Sequence, residues 1–353
     1  ADGRAEALVA LTQFVAYDAA RLEDGHDWFH QARALLVRTR RQGVLLARLE
    51  SAHGLLFTAQ GDPVAAEASQ RNALAELDKA GLVDSPERGS LLRLLGQALS
   101  AQGRHPEALA EYQRSLEMSQ RLLGAGHPRT GNALVCLGAS LGALGDPEAL
   151  PTVRQGLAIL ERTLSPRHPL RSVALEALGT ALARTGAREE AARVLRRAVA
   201  AAEGARGSRH PDVAPPGDSL GEVLLALGQP AEALERFTRA LGVRESTLGA
   251  AHPDLAASLT GQGEALLRLG RSHEALVPLE RALTLRESHV VPPEDLAHTR
   301  FVLAQALWET RRDVKRARAL GEMAERGLHG PGAQGALAQV QAWLGEHTKG
   351  SGP

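Results

Sequence analysis

Residues 137–150 read LGASLGALGDPEAL, residues 178–191 read LGTALARTGAREEA and residues 220–234 read LGEVLLALGQPAEAL. Set beneath one another they are one unit copied, and self-similarity at a fixed period of tens of residues is the mark of a stacked architecture. The same beat runs outward along the chain. Prolines at 86, 128, 169, 211 and 253 are spaced by 42, 41, 42 and 42, and four of them follow a histidine: His127, His168, His210 and His252. Glycines at 54, 96, 138, 179, 221 and 263 keep this period, and a second series at 61, 103, 145, 186, 228 and 270 lies seven residues behind the first.

Each copy reads as two helices. A proline suits the first turn of a helix, where its missing N–H costs nothing, while the residue before it is pushed toward an extended conformation. Leu134, Leu137, Leu141 and Leu144 then follow at helical spacing. The second-series glycine supplies the left-handed conformation that ends a helix. Asp146-Pro147 and Gln229-Pro230 restart the chain as cap and first residue of a second helix. The first-series glycine sits inside the first helix at a cost of about 1 kcal/mol against Ala, so packing must require it. Ala108, Ala149, Ala191, Ala233 and Ala275 recur on the second helix, which predicts two backbones nesting where small residues meet.

The order L-G-x-x-L-x-x-x-G followed by E-A resembles a tetratricopeptide repeat. The 42-residue period and His-Pro start are more similar to the longer repeats of kinesin light chains and their bacterial relatives than to the common 34-residue form. The likeness covers about residues 45 to 325 and implies an all-α, right-handed superhelical solenoid of antiparallel helix pairs. Kinesin-type units carry asparagines on the first helix, whereas Asn132 is nearly alone here, so cargo specificity does not transfer.

The expected organisation is a helical cap over residues 1–45 broken near Gly25, about seven units over 46–328, and a capping helix with tail over 329–353. Terminal units of a solenoid are atypical because one face meets water. In the last unit Ala304 replaces the first glycine and Arg311 the second. Pro215, Pro216 and Gly217 interrupt one copy where its neighbour has Ala257, Ser258 and Leu259. They predict a first helix delayed by about a turn, starting near Pro216, or else a hinge.

Composition narrows the function. The 353 residues carry 41 Lys+Arg and 41 Asp+Glu, so net charge is zero and nothing draws the chain generally to nucleic acid. One cysteine, Cys136, builds neither a disulfide framework nor a multi-cysteine zinc site. Aromatics at 3% leave a core of Leu, Ala and Val. No apolar run approaches the ~18 residues that span a bilayer. Only Lys79, Lys315 and Lys349 are lysines, a bias of high-GC bacterial coding. The start lacks the order of a signal peptide and the first residue is Ala1, so the expectation is a cytoplasmic excerpt of a longer polypeptide.

Motifs of chemistry fail on context. Gly138-Ala139-Ser140-Leu141-Gly142 matches a hydrolase elbow, which needs a strand before a strained serine, and here the frame is helical. His26 and His30 have the spacing of a zinc helix with Asp27 between, yet no third ligand stands nearby, so capping or packing is expected. The four His-Pro histidines lie a repeat apart, too far to share an ion, and read as polar loop residues meeting the neighbouring turn. Cys136 between Val135 and Leu137 reads as core. Arg311, Arg312, Lys315, Arg316 and Arg318 read as a solvated face. No cofactor or metal is expected, and no catalytic residue.

In tetratricopeptide arrays the first helices line a concave groove. The repeat frame places Arg93, Gln97, Asn132, Glu176, Thr180, Arg184, Asp218, Glu222, Thr260, Glu264, Arg268, His298, Gln305 and Glu309 along it. The second half leans acidic, so a protein or peptide partner with basic residues near Glu176, Asp218, Glu222 and Glu264 is expected, and the Lys and Asn pattern of chaperone-tail clamps is absent. The resemblance implies a non-enzymatic protein-interaction scaffold. A helical lead-in before 42-residue repeats is also similar to the C-terminal halves of multi-domain bacterial serine/threonine kinases, which implies an alternative: a regulatory region whose partner is an upstream kinase domain. The chain itself has no phosphate loop, H-R-D or D-F-G.

Overall fold

The computed structural model describes residues 2–15, 22–39, 43–329 and 331–348, and among them seventeen α-helices and no strand. Helices α1 (Asp2–Val15) and α2 (Leu22–Arg38) precede seven consecutive pairs. The pairs are α3 (Val44–Ala59) with α4 (Pro63–Lys79), α5 (Pro86–Ala101) with α6 (His105–Leu123), and α7 (Pro128–Ala143) with α8 (Ala149–Thr163). Next come α9 (Pro169–Arg184) with α10 (Arg188–Arg206) and α11 (Ala214–Ala226) with α12 (Pro230–Leu248). Then follow α13 (Leu255–Arg268) with α14 (Ser272–Glu287) and α15 (Pro293–Glu309) with α16 (Val314–Gly327), closed by α17 (Gln334–Thr348). The fold is an all-α solenoid of helix pairs. It divides into two compact units: Ala1–Ser140 with Gln155–Thr163, and Leu141–Arg154 with Leu164–Pro353.

The second-series glycines end the first helices in the left-handed region, with φ from 72° at Gly228 to 86° at Gly186. In the last pair Arg311 takes the glycine's place at φ 51°, the one non-glycine with positive φ among the described residues. The turn is dictated by the repeat, and the side chain tolerates it.

The first-series glycines make room for a large side chain. A Cβ on Gly96 would lie 2.7 Å from Cε1 of Tyr112, one on Gly179 2.5 Å from Cγ of Leu195, and one on Gly263 2.4 Å from Cγ of Leu279. Phe237 is held from two sides: a Cβ on Gly221 would meet its Cζ at 2.6 Å, and one on Gly261 of the next repeat would meet Cε1 at 2.3 Å. The expectation of small residue against small residue is thus corrected. The alanines at 108, 191, 233 and 275 are fully buried, but what fills the glycine notch is the ring or leucine four residues further on.

The His-Pro histidines are also corrected, from loop contacts to helix caps. Nδ1 of His127, His168, His210 and His252 accepts the backbone N–H two residues on, from Arg129, Leu170, Asp212 and Asp254, at 3.1 to 3.2 Å. His127 and His168 thereby satisfy a donor at the starts of α7 and α9, His210 one in the 3-10 turn before α11, and His252 one in the turn that leads into α13. The Nδ1 acceptor role requires the imidazole to be neutral there.

Two boundaries differ from the sequence reading, and a third, the delayed start of α11, agrees with it to within two residues. Gly25 is buried inside α2, so no break falls there, and residues 16–21, between α1 and α2, lie outside the described residues. Asp146 accepts from Glu148 N at 2.8 Å, but α8 begins only at Ala149. A short 3-10 turn, Pro211–Val213, precedes α11, so this helix is delayed by about a turn and carries Pro215 and Pro216 in its own first turn.

Candidate partner-binding face

The second unit gathers ionisable side chains along the first helices α9, α11, α13 and α15. Glu176 on α9 is half-buried and accepts from Ser219 Oγ at 3.3 Å. Burial pushes its carboxyl up to about 7, opposed by that hydrogen bond and assisted by Asp218. Glu222 on α11 is exposed and has no ion pair or hydrogen bond among the described residues. The protein mass around it pushes its carboxyl up to about 7, against the pull of His298 and with the charges of Asp218, Asp295 and Glu264 adding. Glu264 on α13 is half-buried, 3.3 Å from His298 Nε2 and 3.3 Å from Arg268 Nη2. Burial would raise its carboxyl, and the His298 hydrogen bond and charge outweigh that and hold it low.

Beneath this face lies a second, closed polar layer. Asp218 and Arg244 form an ion pair with both side chains 8% exposed, and Ser258 donates to Asp218 Oδ1 at 2.9 Å while accepting from Arg244 at 2.6 Å. One repeat later the Arg286 guanidinium, 7% exposed, hydrogen-bonds Thr299 Oγ1 and the Asp295 carbonyl, and Thr299 meets Thr260 Oγ1 at 2.8 Å. Asp218 and Thr260 are therefore corrected from groove positions to interior ones. Both are satisfied by neighbours and neither is open to a partner.

The remaining expected positions fall as follows. Arg184 and Arg268 are exposed, Thr180 and Gln305 are half-buried, and Glu309 is exposed and accepts from Ser272 Oγ. Arg93, Gln97 and Asn132 belong to the first unit. Gln97 is exposed, Asn132 half-buried, and Arg93 stands by Cys136. Burial pushes the Cys136 thiol up, with the Arg93 charge opposing.

The catalytic and metal motifs resolve into packing. Ser140 lies inside α7, 3% exposed, its hydroxyl 3.4 Å from the His105 carbonyl. His26 does meet a third imidazole, which sequence reasoning missed: His53 on α3 has Nε2 3.1 Å from His26 Nδ1 and stacks on Phe29 at 3.6 Å between centroids. Burial, then the neighbouring His26 and His30, hold His53 down to about 4. No group of three His, Cys, Asp or Glu among the described residues could hold a metal ion. In the basic cluster Arg316 pairs with Glu280 of α14, Nη2 to Oε2 at 2.8 Å. No helix among the described residues is long and apolar enough to cross a membrane.

Helix pairs of this length, with a glycine notch under a ring and a left-handed glycine after it, define a repeat protein of the solenoid class. The tetratricopeptide repeat profile matches residues 45–121, 87–149, 129–204 and 218–288, and the chain belongs to the tetratricopeptide repeat family. A comparison with curated protein sequences returns no match. Among solved structures, a Rap protein complexed with competence and sporulation factor is 13% identical, covers 97% of this chain and 99% of its own, and superposes with a TM-score of 0.63. The Rap conjugation regulator of plasmid pLS20, in complex with the Phr* peptide, is 13% identical over 88% of this chain and 77% of its own, with a TM-score of 0.63. Kinesin light chain TPR-like repeats from Podosopora anserina are 25% identical over 58% of this chain and 98% of their own, with a TM-score of 0.45.

Proposed function

We propose that the chain is a protein-interaction scaffold whose second unit holds a peptide segment along the first helices α9, α11, α13 and α15. Basic side chains of that segment lie against Glu176, Glu222 and Glu264, with Arg184 and Arg268 placing its acidic or polar positions. The observation that carries this reading is Glu222. It is exposed, makes no hydrogen bond or ion pair among the described residues and is raised to about 7, so a guanidinium or ammonium from outside meets a carboxyl whose charge His298 answers only in part, and its arrival favours the ionised form. The repeat sets Glu264 one unit on from Glu222, a spacing of adjacent helices on the order of 10 Å, which an extended or helical peptide spans in a few residues. A solenoid of this fold in complex with the Phr* peptide supports the reading. No reaction is assigned to the chain.

The test is selection from a displayed peptide library on wild type and on Glu222→Arg/Glu264→Arg. Wild type is expected to enrich Lys- or Arg-containing peptides that the double variant fails to retain at unchanged melting temperature. Enrichment without basic residues, or equal retention by both proteins, contradicts the assignment.

A further inference from the structure

The first unit contains a cavity of about 240 Å³ that the proposed peptide face does not use. Its walls are mainly aliphatic, with Val44, Leu55, Leu77, Leu91 and Leu94 brought together by α3, α4 and α5, and Gln13 of α1, Ser51 and Ser90 add polar groups. Its rim is charged and comes from three successive first helices: Arg48 on α3, Glu87 on α5 and Arg129 on α7. Arg48 Nη2 is 3.5 Å from Glu87 Oε1, with side chains 55% and 40% exposed, so that pair is loose and self-neutralising. Arg129 donates one long hydrogen bond, 3.4 Å, to the Pro86 carbonyl and has no carboxylate partner among the described residues. The rim thus carries one positive charge in excess, beside an apolar hollow.

Size fixes the rest. An apolar cavity of about 150 Å³ takes benzene, so by proportion this one accepts a body of roughly eight to ten carbons. A guanidinium fork matches a carboxylate in two parallel hydrogen bonds. We propose that this cavity binds an apolar monocarboxylate, its hydrocarbon body against Leu55, Leu77, Leu91 and Leu94 and its carboxylate on the Arg129 guanidinium. A cationic ligand would place its charge beside Arg129, and a neutral one would leave the excess charge unanswered. The same chemistry has two sources, a free carboxylic acid or the last residue of a partner chain with a large aliphatic side chain.

The probes are octanoate and octanamide, together with N-acetyl-Ala-Ala-Leu as its acid and as its amide, titrated calorimetrically into the full chain. Octanoate is expected to bind at least ten-fold more tightly than octanamide, and Arg129→Gln, an exposed position, to abolish that preference without moving the melting temperature. Leu94→Phe, checked for its melting temperature, fills the hollow and is expected to lower octanoate affinity at least ten-fold. If the peptide acid instead outbinds both octanoate and its own amide, the source is a chain terminus and the site stands. No binding by any acid up to millimolar concentration overturns the proposal, as does equal binding of acid and amide or unchanged acid affinity in Arg129→Gln. Glu222→Arg/Glu264→Arg leaves all these results in place, so failure here and failure of the peptide face are separable.

Discussion

Nε2 of His298 lies 3.3 Å from Oε2 of Glu264, tying the first helices of two successive repeats by a hydrogen-bonded charge pair. Burial disfavours the imidazolium, and the Glu264 hydrogen bond and charge more than offset it, so His298 titrates above its ordinary value of 6.5. Glu222, on the helix before, has no such partner. Of these two carboxylates, Glu264 is paired within the chain and Glu222 makes no hydrogen bond or ion pair among the described residues.

The His298–Glu264 pair contributes fully below pH 6.5 and is lost as pH rises through the raised folded value. With His298 half exposed, solvent screening limits the term. His298→Ala is expected to cost about 0.5 kcal/mol more at pH 6 than at pH 9, measured by urea unfolding. An equal cost at both pH values counts against the pair.

Asp218→Ala strands the Arg244 guanidinium in the interior. Loss of one partner of a buried ion pair costs about 3–5 kcal/mol. Replacing both, as Asp218→Leu with Arg244→Met, is expected to recover most of that loss in thermal unfolding.

Arg311→Gly relieves a left-handed turn that the other repeats give to glycine. The gain expected is about 0.5–1 kcal/mol, the relieved strain less the entropy of the freer unfolded glycine. It is read as a raised denaturation midpoint with an unchanged slope.

Much of this is legible in the amino-acid sequence alone. The two glycine series and the prolines gave the period, the pairs and the turn positions, because backbone constraints act locally and leave a residue-type signature. The notch partners Tyr112, Leu195, Phe237 and Leu279 were not legible, since a glycine announces a close approach without saying what approaches. Nor was the burial of Asp218 and Thr260. The repeat frame assigns a helical position, but whether a carboxylate there meets solvent depends on Arg244 and Ser258, which arrive from other helices. His53 was missed for the same reason, being 27 residues from His26 and met only through packing.

His53 makes a pH prediction of opposite sign to His298. Held down to about 4 in the fold, it binds its proton in the unfolded chain from about pH 6.5 downward, so stability falls between 6.5 and 4. His53→Phe keeps the stack on Phe29 and is expected to flatten the melting-temperature profile over that interval. An unchanged slope would place the acid sensitivity elsewhere.

The central claim is that Glu176 and Glu222 receive cations from a partner. Calorimetric titration of a library-selected basic peptide at pH 6 and pH 8 tests it most directly, because both carboxyls are raised to about 7. If binding requires both carboxylates ionised, affinity rises about a hundred-fold across that interval in wild type and only about ten-fold in Glu222→Gln, where Glu176 alone still titrates. A peptide whose affinity is the same at both pH values, or that loses nothing in Glu222→Gln, would contradict the account.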